Sequence, residues 1–157
     1  MPIICDEDRK EASIVVSACL AGVACRYDGQ AKTDAGALRL VLEKKAVALC
    51  PEILAGFSSP RPPAEIRGGD GFDVLNGEAR VYNKKGEDIT DGFLRGAQKL
   101  FDFVLENGIT EVWLKAMSPS CGVSEIYDGS FSGRAVFGCG VTCALLRKNG
   151  IKVVEIP

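Results

Sequence analysis

The chain has 157 residues, which is the usual size of one domain and enough to bury a core without disulfides. Hydrophobic residues make up 46%, charged residues 25%, and the net charge is −2. These values predict a soluble globular protein and exclude binding of nucleic acid or anionic membranes by bulk charge. We expect one α/β domain over residues 1–157, with a polar N-terminal extension at residues 1–12. The first residues, MPIICDEDRKEA, lack the apolar core of a signal peptide, which predicts a cytoplasmic protein.

The first predicted unit is a strand, a helix and a second strand. Residues 13–18 (SIVVSA) are β-branched and apolar, as in a parallel strand covered on both faces. A glycine-bearing loop follows, and Asp34 is placed to cap a helix over residues 37–45 (ALRLVLEKK). Residues 46–50 (AVALC) then return as a second apolar strand, which completes a βαβ unit.

The middle of the chain has a different composition. Residues 51–71 contain four of the seven prolines, which predicts a long irregular segment rather than a helix. The β-rich residues 79–83 (ARVYN) lie between turn signals at residues 76–77 and 85–86. This arrangement predicts a small β-hairpin insertion, placed at the sheet edge.

The last third returns to alternating elements. Thr90 is a suitable N-cap for an amphipathic helix that stops at Asn107-Gly108, and residues 109–115 follow as a strand. A helix over residues 141–149 precedes the closing strand, residues 151–156. The alternation predicts a three-layer, Rossmann-like α/β fold, with a mostly parallel sheet and helices on both faces.

The chain contains seven cysteines and no histidine. An odd number of cysteines without a secretory signal argues against a disulfide framework. Without histidine, the commonest zinc ligand and every Ser-His or Cys-His catalytic pair are excluded. Proton transfer must then use Glu, Asp, Lys, Tyr or Cys.

Three cysteines follow three predicted strands, namely Cys19, Cys50 and Cys121. Because the carboxyl ends of parallel strands share one edge, these thiols can converge there. Converging thiolates suit a soft metal or an iron-sulfur cluster, and three ligands leave one position open for a substrate. The alternative is that each free cysteine is a small buried hydrophobe.

The other cysteines carry weaker signals. Cys139 and Cys143 are spaced to share the apolar face of one helix, which favours a core role. Cys5 lies in the polar terminus and has no predicted role. Cys25 follows Cys19 in the same loop, either as a thiol beside a metal site or as a disulfide partner of Cys19 after metal loss.

Four segments of the sequence resemble a bacterial family that includes the 2-thiouracil desulfidases: VSACLAGVACRYDG, ALCPEILAGFSSPRPPAEIRGGDG, KAMSPSCGVSEIYDGSFSG and GVTCALLRKNGIKV. The resemblance extends from about residue 14 to residue 154. It implies a [4Fe-4S] cluster held by Cys19, Cys50 and Cys121, with the fourth iron free for the sulfur of a thiolated pyrimidine. Such a cluster is easily lost in air.

The resemblance also implies catalytic residues. The glutamate of CPE is Glu52, which would act as the base for the attacking water. The serine of SPSCG is Ser118 in preference to Ser120, and it would donate to the substrate ring. The alternatives are a loop salt bridge for Glu52 and a backbone hydrogen bond within a turn for Ser118.

We expect the substrate to contact Arg26, Tyr27, Arg61, Glu65 and Ser120, although plain salt bridging is the alternative for the charged members. The leading hypothesis is an iron-sulfur enzyme, a monomer or small homo-oligomer, that replaces the sulfur of a thiolated nucleobase by oxygen and releases sulfide. Other thiocarbonyl heterocycles and thiolated nucleosides are alternative substrates. The rival hypothesis is a non-catalytic cysteine-rich module that binds a metal or senses redox state.

Overall fold

The computed structural model describes residues 12–157, so the predicted polar extension, apart from Ala12, and Cys5 lie outside the described residues. The strands are β1 (Ile14–Ser17), β2 (Ala46–Leu49), β3 (Ala64–Arg67), β4 (Arg80–Asn83), β5 (Glu111–Lys115), β6 (Glu125–Tyr127), β7 (Ala135–Phe137) and β8 (Lys152–Ile156). The helices are α1 (Ala35–Leu42), α2 (Pro51–Leu54), α3 (Gly71–Leu75), α4 (Thr90–Glu106) and α5 (Val141–Lys148), and a 3₁₀ turn follows β1 at Ala18–Ala21.

The central sheet is fully parallel, with strand order β2-β1-β5-β8. Val15 of β1 lies between Val47 and Val112 of its neighbours, and the next residue of β1 lies between Ala48 and Trp113. Successive side chains of a strand point to opposite faces, so each strand contributes apolar groups to both faces. Both faces therefore need a covering layer.

Helices cover both faces of this sheet. On one face, α4 and α5 pack Leu100, Val104 and Leu146 against the valines of β1 and β5. On the other face, α1 packs Ala37 and Leu40 against Val16. The predicted three-layer α/β fold is confirmed. Within residues 12–157, no helix has both the length and the hydropathy needed to cross a bilayer.

The predicted helix starts agree with the structure to within a residue or two. Asp34 caps α1, and its Oδ2 accepts a hydrogen bond from the backbone N–H of Ala37 at 2.9 Å. In α4, Phe93, Ala97 and Leu100 recur on one buried face. Thr90 is the first residue of α4 rather than its N-cap, which is Ile89.

The structure corrects the prediction for the middle of the chain. Residues 51–71 are not wholly irregular, because they contain α2 and β3. The predicted strand at residues 79–83 exists as β4, but its antiparallel partner is β3, and α3 lies between them in the chain. These two strands form a sheet of their own, and β6 and β7 form another that the sequence did not predict.

Candidate active site

A cavity of about 450 Å³ opens at the carboxyl ends of β1, β2 and β5. Every site residue predicted from the sequence lines it, although the residues come from six separate stretches of chain: Cys19, Arg26, Tyr27, Cys50, Glu52, Arg61, Glu65, Ser118, Ser120 and Cys121. Cys25 also lines the cavity. The position matches the general rule that ligands of open α/β sheets bind outside the carboxyl ends of the strands.

Each thiol is positioned by a strand end. Cys19 lies in the 3₁₀ turn after β1, and Cys50 is the residue between β2 and α2. The Cys25 thiol contacts both of them, and these contacts lower the pKa of Cys19 and of Cys50. The same two contacts raise the pKa of Cys25.

Cys121 approaches the cavity from the loop after β5. It is 5% exposed, and burial raises the pKa of its thiol to about 12. Contacts with Ser17 and Ser120 oppose this effect, and the Ser120 Oγ lies 3.6 Å from the Cys121 sulfur. A positively charged metal centre would favour the thiolate form that burial disfavours.

The donor set at this cavity is sulfur-rich. Within residues 12–157, no group of three or more His, Cys, Asp or Glu side chains is gathered closely enough to hold a single metal ion. An iron-sulfur cluster has a different requirement, because each thiolate binds a different iron atom and the sulfurs surround a volume. Four thiols on the wall of one cavity fit that requirement in donor chemistry.

Glu52 lies in the first turn of α2, one residue after the helix-starting Pro51. Its Oε1 accepts a hydrogen bond from Arg61 Nε at 3.2 Å, and its Oε2 accepts one from Ser120 Oγ at 3.0 Å. Helix α2 packs closely on α4, since a Cβ at Gly96 would lie 2.1 Å from the Pro51 carbonyl oxygen. The carboxylate is therefore held at both oxygens on a tightly packed backbone.

Arg61 braces this side of the cavity. Its Nη1 donates to the carbonyl oxygens of Cys25 and Ser58, both at 2.9 Å. The ion pair with Glu52 is well shielded, because the two side chains are 8% and 14% exposed. Arg61 thus joins the loop that carries Cys25 to the helix that carries Glu52.

Ser118 and Ser120 form a hydrogen-bonded chain that ends at Glu52. The Ser118 Oγ accepts from the backbone N–H groups of Ser120 and Cys121, both at 3.1 Å. The two hydroxyl oxygens lie 2.9 Å apart. Because the Ser120 hydroxyl donates to Glu52, the hydrogen between the serines belongs to Ser118.

The N-terminus of α5 fixes the serine loop. The N–H groups of Val141 and Thr142 donate to the carbonyl oxygens of Pro119 and Ser120, both at 2.9 Å. A Cβ at Gly140 would lie 2.5 Å from the Ser120 carbonyl carbon. A side chain at position 140 would therefore collide with the serine loop. On its other side Gly140 packs against α3, since a Cβ at Gly71 would lie 2.2 Å from the Gly140 carbonyl oxygen.

The remaining predicted contact residues line other walls of the cavity. The Arg26 guanidinium lies 5.8 Å from the centre of the Tyr27 ring, which is exposed. Glu65 is 8% exposed on β3, and its Oε1 accepts N–H hydrogen bonds from Gly129 and Phe131 at 3.0 and 3.1 Å. One oxygen of Glu65 is therefore committed to the loop at residues 128–134.

Several cavity residues were missed from the sequence. Lys115 ends β5 beside Cys19, and burial, followed by repulsion from Arg26, lowers its pKa. The lysines at positions 32 and 84 and the aromatic side chains of Tyr127 and Phe131 also line the cavity. Two signals could have found some of them: Lys115 stands at a strand end, and Lys115, Tyr127 and Phe131 lie within the segment KAMSPSCGVSEIYDGSFSG that resembles the family.

A family model for 2-thiouracil desulfurase matches residues 14–156. The uncharacterized protein YbbK of Bacillus subtilis (strain 168) is 50% identical over 142 residues, which are 90% of this chain and 94% of that protein. Among solved structures, the [4Fe-4S]-dependent thiouracil desulfidase TudS (DUF523Vcz) matches with a TM-score of 0.81 and 42% identity. That match covers 92% of this chain and 90% of the other.

Proposed function

The chain belongs to the 2-thiouracil desulfurase family, and from that premise we propose that it is an iron-sulfur-dependent thiouracil desulfidase. The reaction replaces the sulfur of a thiolated pyrimidine by the oxygen of water and releases sulfide. The observation that carries the proposal is the Glu52 carboxylate, which is held by Arg61 and Ser120 in the same cavity as four thiols.

The proposed cofactor is a [4Fe-4S] cluster, with Cys19, Cys50 and Cys121 as its ligands. The desulfidase TudS depends on a cluster of this type, and the sulfur donors of the cavity suit it. When bound, the cluster would supply a thiophilic Lewis acid for the thiocarbonyl sulfur. With only three protein ligands assigned, the bound cluster would keep one iron open to the substrate.

In this proposal Glu52 is the general base. A carboxylate oxygen has two lone pairs, so the hydrogen bonds from Arg61 and Ser120 leave each oxygen able to accept a further hydrogen bond. A water molecule bound there would lose a proton to Glu52 as its oxygen attacks the ring carbon. Arg61 fixes the orientation of the carboxylate and balances its charge in a shielded place.

Ser118 is proposed to donate to the substrate. Its oxygen accepts hydrogen bonds from two backbone N–H groups, which occupy both lone pairs and fix its position. Ser118 therefore accepts no proton from Ser120, but its own hydroxyl hydrogen can turn from Ser120 toward a ring nitrogen or the departing sulfur. Ser120 holds Glu52 through a hydrogen bond of 3.0 Å, and Glu52 itself would return the proton that it takes from water.

The proposed reaction consumes water and no other co-substrate. The carbon–sulfur bond of the thiocarbonyl breaks, a carbon–oxygen bond forms, and the two protons of water leave with the sulfide as hydrogen sulfide. Carbon keeps its oxidation state, so no net oxidant or reductant is consumed.

The test is anaerobic reconstitution of the full chain, followed by iron analysis and assay of sulfide release from 2-thiouracil. Glu52→Gln is expected to keep the iron content and lower the turnover number about 10²- to 10⁴-fold, the usual contribution of a general base. Glu106→Gln, the same change at an exposed residue of α4, is the matched control and is expected to be silent. Full turnover by Glu52→Gln would remove the proposed base.

A non-catalytic module predicts a different outcome. Wild-type protein would then carry its metal but release no sulfide from any thiolated pyrimidine. Stoichiometric zinc in place of iron would count against the proposal in the same way.

A further inference from the structure

The loop at residues 128–134, which joins β6 to β7, forms one wall of the cavity. Phe131 and Gly133 of this loop line the cavity beside Tyr127. Phe131 has a φ of +56°, a left-handed conformation that is rare for a bulky residue. Among the described residues, only Lys44, Met117 and Phe131 have a positive φ without being glycine, and two of them line the cavity. Strain of this kind concentrates at ligand sites.

The strained conformation is held by Glu65. One oxygen of this carboxylate, Oε1, accepts hydrogen bonds from the N–H groups of both Gly129 and Phe131. No ion pair of Glu65 occurs among the described residues, so the buried charge is met by backbone donors instead. Hydrogen bonds to a charged acceptor are the stronger kind, which suits them to hold an unfavourable backbone angle.

A second clamp comes from Arg67, two residues further along the same face of β3. Its Nε donates to the Gly129 carbonyl oxygen at 2.9 Å. Its guanidinium contacts two aromatic rings, at 4.9 Å from the centre of Tyr82 and 5.8 Å from the centre of Phe131. Neither Arg67 nor Tyr82 lines the cavity, so this support comes from outside it.

The base of the loop packs directly on β3. Gly129 lies so close to β3 that a Cβ there would be 2.5 Å from the Ile66 carbonyl oxygen. The Phe131 ring is half-buried and is the least exposed of the aromatic side chains that line the cavity. The two tyrosines that share the wall, Tyr27 and Tyr127, are 42% and 38% exposed.

We propose that Phe131 is a specificity-determining residue, the apolar wall on which the planar ring of the substrate packs, and that Glu65 is its positioning residue. The inference rests on the proposed function and narrows the substrate to thiocarbonyl groups within a flat heteroaromatic ring. An acyclic thiourea carries the same reactive group without the ring face. Loss of the stacking of a base on an aromatic side chain weakens binding about 5- to 150-fold, so an effect of at least about fivefold is expected.

The experiment compares Phe131→Ala and Phe131→Tyr in the reconstituted protein. Phe131→Ala is expected to raise KM for 2-thiouracil at least about fivefold with little change in kcat, and Phe131→Tyr, which keeps the ring, is expected to restore KM. The inhibition constant of acyclic thiourea is expected to change less than about twofold. Phe137→Ala on β7 makes the same truncation at a side chain that is 90% exposed, and it serves as the control.

The positioning role of Glu65 has its own readout. Glu65→Ala is expected to speed hydrogen exchange at the Gly129 and Phe131 amides and to raise KM, while the iron content stays that of wild type. Rescue by Glu65→Gln is expected in part, since its carbonyl oxygen still accepts hydrogen bonds. Unchanged exchange at these amides would overturn the positioning role.

Two outcomes separate this inference from the proposed function. If wild type turns over 2-thiouracil but Phe131→Ala keeps both KM and the selectivity against thiourea, the inference fails alone. If wild type is inactive, equilibrium binding of 2-thiouracil to wild type and to Phe131→Ala tests whether Phe131 contacts the ring. Equal affinities would then overturn the contact with Phe131.

Discussion

The described residues contain two groups of cysteines that come from different sequence contexts but are similar in burial and in thiol contacts. The cavity cysteines are Cys19, Cys25, Cys50 and Cys121, and the core cysteines are Cys139 and Cys143. The prediction that both core cysteines lie on one helix is wrong for Cys139, because α5 begins at Val141 and only Cys143 lies within it. Burial does not separate most of them, since Cys19, Cys25 and Cys121 are 7%, 3% and 5% exposed and the core pair is 1% and 0% exposed. Only Cys50 is half-buried. Thiol contact does not separate them either, because Cys143 contacts Cys139 and lowers its pKa.

What separates the groups is the surroundings. The cavity cysteines come from three strand ends and share a cavity with Glu52, Ser120 and Lys115. The core cysteines do not line the cavity, and they pack in the apolar cluster on the α4 and α5 face, with Arg147 near both thiols. Cys121 belongs to the same cluster but also reaches the cavity. A buried thiol with a shifted pKa is therefore weak evidence for a cofactor site. Thiols from several strand ends beside a held carboxylate are stronger evidence.

The largest expected effect comes from removing one cysteine of each group, which tests directly whether the two groups differ in function. Cys50→Ala is expected to abolish both iron binding and sulfide release, because it removes a proposed ligand. Cys143→Ala removes the same sulfur atom from the core and is expected to keep iron and turnover. Iron analysis and the sulfide assay measure both, and equal iron loss in the two variants would contradict the distinction.

The next effect concerns the loop that carries Ser118, Ser120 and Cys121. Gly140→Ala places a methyl group 2.5 Å from the Ser120 carbonyl carbon, so the loop must move. A misplacement of this size is expected to lower kcat about 10- to 100-fold with the iron retained. Val104→Ala, a core truncation away from the loop, controls for lost stability. Equal kcat in Gly140→Ala and wild type would show that the loop tolerates the shift.

Cys25 sharpens the comparison within the cavity group. Its thiol contacts Cys19 and Cys50, but the proposed ligand set leaves it out. Cys25→Ala is expected to keep the iron content and to lower turnover about tenfold, the lower end for a residue that orients metal ligands. Iron loss equal to that of Cys50→Ala would instead make Cys25 a ligand.

The sequence predicted the central sheet because its signals are local. Apolar runs such as residues 46–50 are compatible with few structures, and their alternation with helices implies parallel strands. The order of these strands then brings Cys19, Cys50 and Cys121 to one edge. This part of the site needed no knowledge of side-chain contacts.

The remaining features depend on long-range pairing that no local pattern encodes. Strand β3 lies in a proline-rich stretch. It forms because it pairs with β4, which follows it in the sequence after α3. Arg61 appeared as a substrate contact in the sequence, yet its hydrogen bonds are to Glu52, Cys25 and Ser58. Phe131 lies within a segment that resembles the family, but that resemblance assigned it no role, because Glu65 and Arg67 place it from a distant part of the chain.

The smallest expected effect tests stability apart from both cysteine groups. Asp88 accepts hydrogen bonds from Arg80 and from the N–H and hydroxyl groups of Thr90, and these contacts lower its pKa to about 2. Because the folded pKa lies below the unfolded value of about 3.9, Asp88 stabilises the fold above pH 4 and less as the pH falls toward 2. Asp88→Asn is expected to lower the free energy of unfolding by about 0.5–1 kcal/mol at pH 7, since the ion pair is partly exposed.

Urea unfolding at pH 7 and pH 3 measures this difference, which is expected to shrink at the lower pH. Asp102→Asn removes an exposed carboxylate from α4 and controls for net charge. Iron content and turnover of Asp88→Asn are expected to equal those of wild type, because Asp88 does not line the cavity. A loss of iron in this variant would mean that cofactor retention follows general stability rather than the surroundings of the cavity cysteines.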